Sequence, residues 1–257
     1  MKKVFISAIA GLSRRFNKGA AKAVYYEKNP LDTLLYEQCV KARRCDKIII
    51  VGGYQFENVT RYVRKYLTPR FKNITILFNP RFDRYGSGYS LYLALKEAEK
   101  DGANEIIFCE GDLFFDSKSF SKVITAKNDA LAISAMPIEA SKAVVLYEDC
   151  RHIYKYIYDT GHKALLIPEP FLAIYNSAQI WKFRDTERLF FLLRSLPESC
   201  FTGTNLELIN AYFACLHADY VSRVDIQSWI NCNTIDDYQQ ILKKLNRKNG
   251  NKTGETL

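Results

Sequence analysis

The sequence predicts an α/β fold: a Rossmann-like mixed, mainly parallel sheet flanked by helices. Three observations carry that expectation. Short continuous apolar runs recur without the alternation of a half-exposed strand: VFISAIA, KIIIV, NITILF and EIIFC. Stretches with helical apolar spacing separate them. Several runs end at glycine-containing turns, such as Gly52-Gly53 and Gly111. Strands buried on both faces and joined through helices are the pattern of parallel sheets built from right-handed crossover units.

The elements follow in order. Val4 to Ala10 is the first strand. Pro30 to Arg44 carries Leu31, Leu34, Leu35, Cys39 and Val40 at helical spacing. Lys47 to Val51 is a buried strand, Glu57 to Leu67 a helix, and Asn73 to Phe78 a third strand. Ser90 to Lys100 is a helix that Gly102 is placed to end. Glu105 to Cys109 is a fourth strand, and Asp116 is placed to cap a helix over Ser117 to Val123.

The second half is less regular. Leu131 to Met136, Ala143 to Tyr147, Ile153 to Tyr158 and Phe171 to Tyr175 read as strands. Hairpins are expected at Glu148-Asp149-Cys150 and at Asp159-Thr160-Gly161-His162. Gln179 to Leu196 and Asn205 to His217 read as helices, and Val221 to Trp229 as extended. A last helix over Ile235 to Leu245 opens on Asp236 and Asp237. No repeat or linker divides the chain, so one domain over residues 1–245 and a flexible polar tail over 246–257 are expected.

Composition narrows the function classes. Of 257 residues, 48% are apolar and 25% charged, which excludes a disordered or collagen-like chain. No apolar run approaches the roughly 20 residues that cross a bilayer, and arginines interrupt the apolar start, so a cytoplasmic protein is expected. Seven scattered cysteines with no CxxC pair, and only three histidines, argue against a zinc site and for reduced core cysteines. Trp181 and Trp229 are expected in the core, and His152 and His162 in solvent. The net charge of +9 suggests an anionic partner. The basic residues are dispersed and form no nucleic-acid module, so nucleic acid is not the expected one.

Chemistry could sit in three segments. The first is the turn Ala10-Gly11-Leu12-Ser13-Arg14-Arg15-Phe16-Asn17-Lys18-Gly19 with Lys22 after it. A small-residue turn beyond a buried strand brings backbone N–H groups to phosphate, and arginines add fork-shaped donors. Taken alone, the segment fits a solvated basic loop somewhat better, because it lacks the glycine spacing of a dinucleotide fingerprint or a Walker A loop. The second is Glu110-Gly111-Asp112 at a strand's carboxyl end, where ligands of open α/β sheets bind and a carboxylate can hold substrate-bound Mg²⁺. The third is Asn79 to Leu95, a polar loop with Gly86 and Gly88 running into a helix N-terminus. There a flat base or a phosphate could approach.

These segments, in this order, resemble the GT-A-like nucleotidyltransferases that make activated sugars and alcohols, and the bacterial CTP:phosphocholine cytidylyltransferase branch above all. The family's opening strand, AAGxGSRF and following Lys match Ile9 to Phe16 and Lys22. Its strand and GY pair match IIIVGGY, ending at Tyr54. Its NxxYxxxNxxYSxxxA block matches Asn79 to Ala94, and its acidic strand end matches IIFCEGD. Its last block matches NCNTIDDYQQILKKL. Three positions depart: the loop's second glycine is Ser13, the residue before the loop arginine is Arg14 and not Ser or Thr, and the second metal-binding Asp is Asn233, with Asp225 and Asp236 as the alternatives.

The resemblance implies an Mg²⁺-dependent transfer of a nucleotidyl group, CMP from CTP, to a phosphorylated small molecule. The acceptor is a phosphocholine-like compound, a phosphonate, a polyol phosphate or a sugar phosphate; pyrophosphate leaves, and the product serves surface polysaccharide. It implies that Ala10, Gly11, Leu12, Ser13 and Arg14 line the triphosphate. Arg15 and Lys22 act on its phosphates, and Tyr54, Asn79, Gly88, Tyr89 and Ser90 border the base or acceptor. Asp112 and Asn233 face the metal. The alternative is a catalytically weakened homologue that binds nucleotide or serves as a partner subunit.

Overall fold

The computed structural model describes residues 1–16, 19–139, 143–161 and 163–250. Lys18, His162 and the tail residues 251–257, on which expectations above fall, lie outside the described residues.

Strands β1 (Lys3–Ala8), β2 (Lys47–Gly52), β3 (Ile74–Phe78) and β4 (Glu105–Glu110) form the parallel half of the sheet. The described strands order as β10-β6-β9-β4-β1-β2-β3, where β6 is Asp129–Ser134, β9 Phe171–Phe183 and β10 Val221–Ile226. β6 and β10 are parallel to each other, and β9 runs antiparallel between β4 and β6. The sheet is therefore mixed and mainly parallel, with helices on both faces, as the apolar runs predict.

Side-chain alternation divides the core between the two faces. Val4 and Ile6 of β1 pack with Ile49, Phe108, Leu91 and Leu95, the last two on α3 (Ser87–Lys100). Phe5 points the other way, toward Leu35 of α1 (Leu34–Lys41), Val59 of α2 (Phe56–Tyr62) and Phe120 of α4 (Ser117–Thr125). All of these residues are buried, and burial of such side chains stabilises by about 1.5–3 kcal/mol each. Asp116 caps α4 as expected, its carboxylate accepting the Ser119 N–H at 2.8 Å. Gly102, at φ +66°, follows α3.

A third cluster matters for the opening loop. The last helix, α8 (Ile235–Gly250), buries Tyr238, Ile241 and Leu245 against Leu34, Phe114, Cys232 and Phe16. Phe16 meets Tyr25 and Tyr238 edge to face, with centroids 5.1 and 6.2 Å apart. The basic turn is thus anchored on its apolar residue while its arginines face outward.

Several expectations are corrected. β9 runs through to Phe183, so Gln179 to Phe183 are strand, and the helix there, α5, spans only Thr186–Ser195. A continuous apolar run does not separate strand from helix; burial between β4 and β6 decides. The turn at Asp159 joins no hairpin, because β7 (Val145–Asp149) lies between β8 (Tyr154–Ile157) and β9. The helix α8 continues to Gly250, past the expected start of the tail. Trp181 is core but Trp229 is half-buried, its indole N–H donating to Ala178 O at 3.0 Å. His152 is exposed as expected, with Nδ1 2.7 Å from Glu148 and its ring against that of His217. All seven cysteines are free, but only Cys39, Cys109 and Cys232 are buried, and Cys150 and Cys215 are exposed. No helix among the described residues is long and apolar enough to cross a membrane.

Candidate active site

The carboxyl ends of β1 and β4 meet at one cleft. Beyond β1, the Ile9 N–H donates to Val51 O and the Tyr54 N–H to Ala10 O, so the opening loop is tied to the end of β2. The Gly111 N–H donates to Ala8 O at 2.9 Å. That approach requires glycine, since a Cβ at position 111 would stand 2.2 Å from Ile9 Cγ2 and 2.4 Å from Ala8 O. Behind the turn, Gln38 of α1 is 1% exposed and acts as a clamp. Its amide N–H groups donate to Glu110 O (3.1 Å) and Leu113 O (2.9 Å), and its Oε1 accepts from Ser7 Oγ (2.6 Å).

The second wall comes from an antiparallel pair. β5 (Leu113–Phe115) runs against β11 (Trp229–Asn231) in the register Leu113↔Asn231, and the Cys232 N–H donates to Asp112 O at 2.8 Å. That pairing brings Asn233 beside Asp112 from 121 residues away in the chain.

These elements enclose a cavity of about 560 Å³, within the roughly 300–1,000 Å³ usual for small-molecule sites. Ala10, Gly11, Leu12, Ser13, Arg14, Arg15 and Lys22 line it on one side, Asn79 and Ser90 on another, and Asp112 and Asn233 on a third. Lys22 Nζ lies 2.7 Å from Asp112 Oδ2. Arg15 Nη2 donates to Asn233 Oδ1 at 2.9 Å, and Asn233 Nδ2 to Asn231 Oδ1 at 3.0 Å. Ser13 takes the left-handed conformation (φ +53°) that the missing glycine would favour, and its Oγ accepts the Lys22 N–H at 3.2 Å. Asn79 is 1% exposed with its polar atoms committed: Nδ2 donates to Ser90 Oγ at 2.9 Å and Oδ1 accepts the Arg81 N–H at 2.8 Å. It fixes the floor of the cavity.

Tyr54, Gly88 and Tyr89 do not line this cavity. Tyr54 contributes its backbone N–H to the loop. Gly88 packs against another segment, where a Cβ would stand 2.9 Å from Phe201 O. The Tyr89 ring packs against Tyr85 and Tyr92 over a separate groove. Asp225 and Asp236 are exposed and line neither wall, so neither stands in for Asn233.

Sequence reading missed several groups. Arg84 adds a fourth cation beside Arg14, Arg15 and Lys22, at the expected helix N-terminus, which starts at Ser87 and not Ser90 and adds the positive end of a helix dipole. Glu110 faces the same space. Burial first, then the charge of Asp112, pushes its carboxyl up to about 8, against the hydrogen bond from Asn205 and the nearby Lys22. A smaller cavity of about 230 Å³ adjoins the first, sharing Arg15, Ser87, Glu110, Asp112 and Asn233 and adding Gln179, Asn205 and Asn231. The acidic EGD turn was legible; its partner Asn205, and Gln179 across the smaller cavity, belong to elements that no local pattern connects to it.

One carboxylate and one amide oxygen suit a hard cation that keeps most of its ligands on phosphate and water. Among the described residues, no group of three His, Cys, Asp or Glu side chains is placed to hold a metal by itself. The donor set therefore fits substrate-borne Mg²⁺, with Asp112 and Asn233 as the side chains that would hold it.

This mixed, mainly parallel sheet flanked by helices is a fold that solved nucleotidyltransferases share. CTP:phosphocholine cytidylyltransferase (LicC) from Streptococcus pneumoniae shares it with a TM-score of 0.62 and 18% identity over 95% of this chain and 100% of that one. The inositol-1-phosphate CTP transferase of T. maritima shares it with a TM-score of 0.68 and 14% identity over 95% and 96% of the two chains. The chain belongs to the family described as Domain of unknown function (DUF6564), whose model matches residues 18–245. No curated protein matches it.

Proposed function

We propose that this chain is a nucleotidyltransferase that moves a nucleotidyl group, CMP from CTP, onto a phosphorylated small molecule with release of pyrophosphate, for surface-polysaccharide synthesis. The contact between Lys22 and Asp112 at 2.7 Å carries the reading. It puts the opening basic turn and the acidic strand end in one cleft, with Arg15 beside them.

The chemistry asks mainly for positioning and charge stabilisation. An oxygen of the acceptor phosphate attacks the α-phosphorus of the nucleotide. The bond from that phosphorus to the bridging oxygen breaks, and its electron pair leaves with pyrophosphate. The acceptor phosphate is already ionised near neutral pH, so no general base is required. Backbone groups from Gly11 to Ser13 line the triphosphate. Arg15, with Arg14, holds the β- and γ-phosphates, and Lys22 swings from Asp112 to neutralise charge at the α-phosphate. Mg²⁺ supplies Lewis-acid charge neutralisation when bound, and Asp112 would hold it. The two similar proteins are named for phosphocholine and inositol 1-phosphate, phosphorylated small molecules of that kind.

One observation favours a second reading. Asn233 Oδ1 already accepts from Arg15, so the second metal position is neutral and engaged, as in a catalytically weakened relative that binds nucleotide. Pyrophosphate release from the four NTPs with Mg²⁺ and a set of phosphorylated acceptors separates the two, run beside melting curves with each NTP. Release with CTP supports the enzyme. A CTP-induced rise in melting temperature without release supports the weakened relative, and neither effect with any NTP refutes both.

A further inference from the structure

The smaller cavity holds one side chain that the reaction described above leaves unused. Gln179 is 9% exposed and lines that space. Its backbone N–H donates to Ser177 Oγ at 3.1 Å, but its side-chain amide has no hydrogen-bond partner among the described residues. That amide keeps access to the space of the cavity, so a ligand entering there either pairs with it or strips its solvent unreplaced.

Its backbone is also unusual. Between the pairs Leu131↔Trp181 and Ile133↔Ser177, β9 advances four residues while β6 advances two. Gln179 sits in that bulge at φ +55°, a conformation a non-glycine residue adopts at a cost. Bulges re-aim side chains, and strained residues held by their surroundings concentrate at functional sites. Because Cys109 pairs with Ile180, the bulge stands beside the strand end that carries Glu110 and Asp112.

We infer that Gln179 is a specificity residue for the acceptor, and that the acceptor is a hydroxyl-bearing phosphate ester, a polyol or sugar phosphate, rather than a quaternary-ammonium one. The inference rests on the nucleotidyltransferase reading. A primary amide both donates and accepts, which matches a hydroxyl or a pair of adjacent hydroxyls. The amides of Asn205 and Asn231 and the hydroxyl of Thr204 extend the same chemistry around the cavity. A trimethylammonium group offers no hydrogen bond and would desolvate the Gln179 amide without pairing it, the situation in which sites reject analogues most strongly. Such a group wants several open aromatic faces. Here Trp181 is 1% exposed and stacked on Phe108 at 5.4 Å, which leaves Tyr158 as the one other ring on the wall.

The test is calorimetric titration of the full chain with inositol 1-phosphate, glucose 1-phosphate and phosphocholine, with and without a non-hydrolysable CTP analogue. Wild type should bind at least one of the two hydroxylated esters more than about tenfold tighter than phosphocholine. Gln179→Asn suits the left-handed backbone but draws the amide back by one methylene. It should lose about tenfold in affinity for that ester while its melting temperature and CTP response match wild type. Gln179→Leu should erase the preference over phosphocholine. Phosphocholine binding as tightly as both esters, no binding of any probe, or an Asn variant indistinguishable from wild type would each overturn the assignment. A retained CTP-induced stabilisation in the same samples would show that the failure concerns the acceptor and not the nucleotide.

Discussion

The Ser13 hydroxyl accepts the backbone N–H of Lys22 at 3.2 Å, with Ser13 in the left-handed conformation. The residue that replaces a glycine of the family pattern therefore has a task of its own. It ties the basic loop to the short helical turn that carries the lysine. Ser13→Ala keeps the strained backbone and loses the acceptor, so it should lower unfolding free energy by about 1 kcal/mol. Ser13→Gly relieves the backbone and should stay near wild type in stability, while both variants lose turnover as Lys22 loses its tether. Denaturant midpoints beside pyrophosphate-release rates check this; an Ala variant equal to wild type in both would refute it.

Lys22→Ala and Asp112→Ala should each lower turnover by orders of magnitude. Unfolding should change little, because both side chains are partly exposed, at 17% and 23%, and a part-exposed ion pair contributes only about 0–1 kcal/mol. Wild-type turnover in both variants would remove these residues from the site. A fall in melting temperature as large as that of a core variant would mark the pair as structural.

Asn233→Asp places a charge beside Arg15 and opposite Asp112. Mg²⁺ should then bind the nucleotide complex more tightly, because a carboxylate is a better ligand for a hard cation than an amide. Titrating Mg²⁺ into the CTP complex measures it. Unchanged or weaker metal affinity would mean that position 233 faces no metal.

Gln38 is a buried clamp whose removal strands three polar partners: Ser7 Oγ, Glu110 O and Leu113 O. Gln38→Leu should destabilise by roughly 1–3 kcal/mol per stranded buried group at most, and should loosen the turn that carries Asp112. A combined loss of stability and turnover is expected, in contrast to the Asp112 variant. A Leu variant with wild-type stability would show that the clamp contributes nothing.

Asp149 lies far from the cleft and reports on acid stability. Burial alone would raise its carboxyl, but Lys155 at 2.8 Å and the N–H groups of Ile153 and Arg151 outweigh it and hold it at about 2. An acid depressed in the folded state stabilises above its unfolded pKa, near 3.8, and that contribution is lost as pH falls toward 2. The loss should be of order 2 kcal/mol. Asp149→Asn should flatten the pH dependence of unfolding between these values; an unchanged slope would refute the assignment.

Much of this arrangement is legible in the chain itself. The unbroken apolar runs of β1, β2 and β4 specify strands buried on both faces, and that alone implies a mainly parallel sheet. Local chemistry also marks Asp116 as a cap and Asp112 as a strand-end acid. The pattern stops being sufficient where a segment is apolar in both readings. Gln179 to Phe183 fits a helix or a strand equally, and only its place between β4 and β6 makes it strand and creates the bulge at Gln179. The same holds for the cleft. Arg15 meets Asn233, and Gln38 meets Glu110 and Leu113, through contacts between residues far apart in the chain, which no local spacing encodes. Tyr89 sits one residue from Ser90 yet faces another groove, because neighbouring positions on a helix point about 100° apart. The sequence by itself determined which segments are buried and which turns carry charge. The tertiary structure decided which of those turns share a cavity, because that depends on strand order and register.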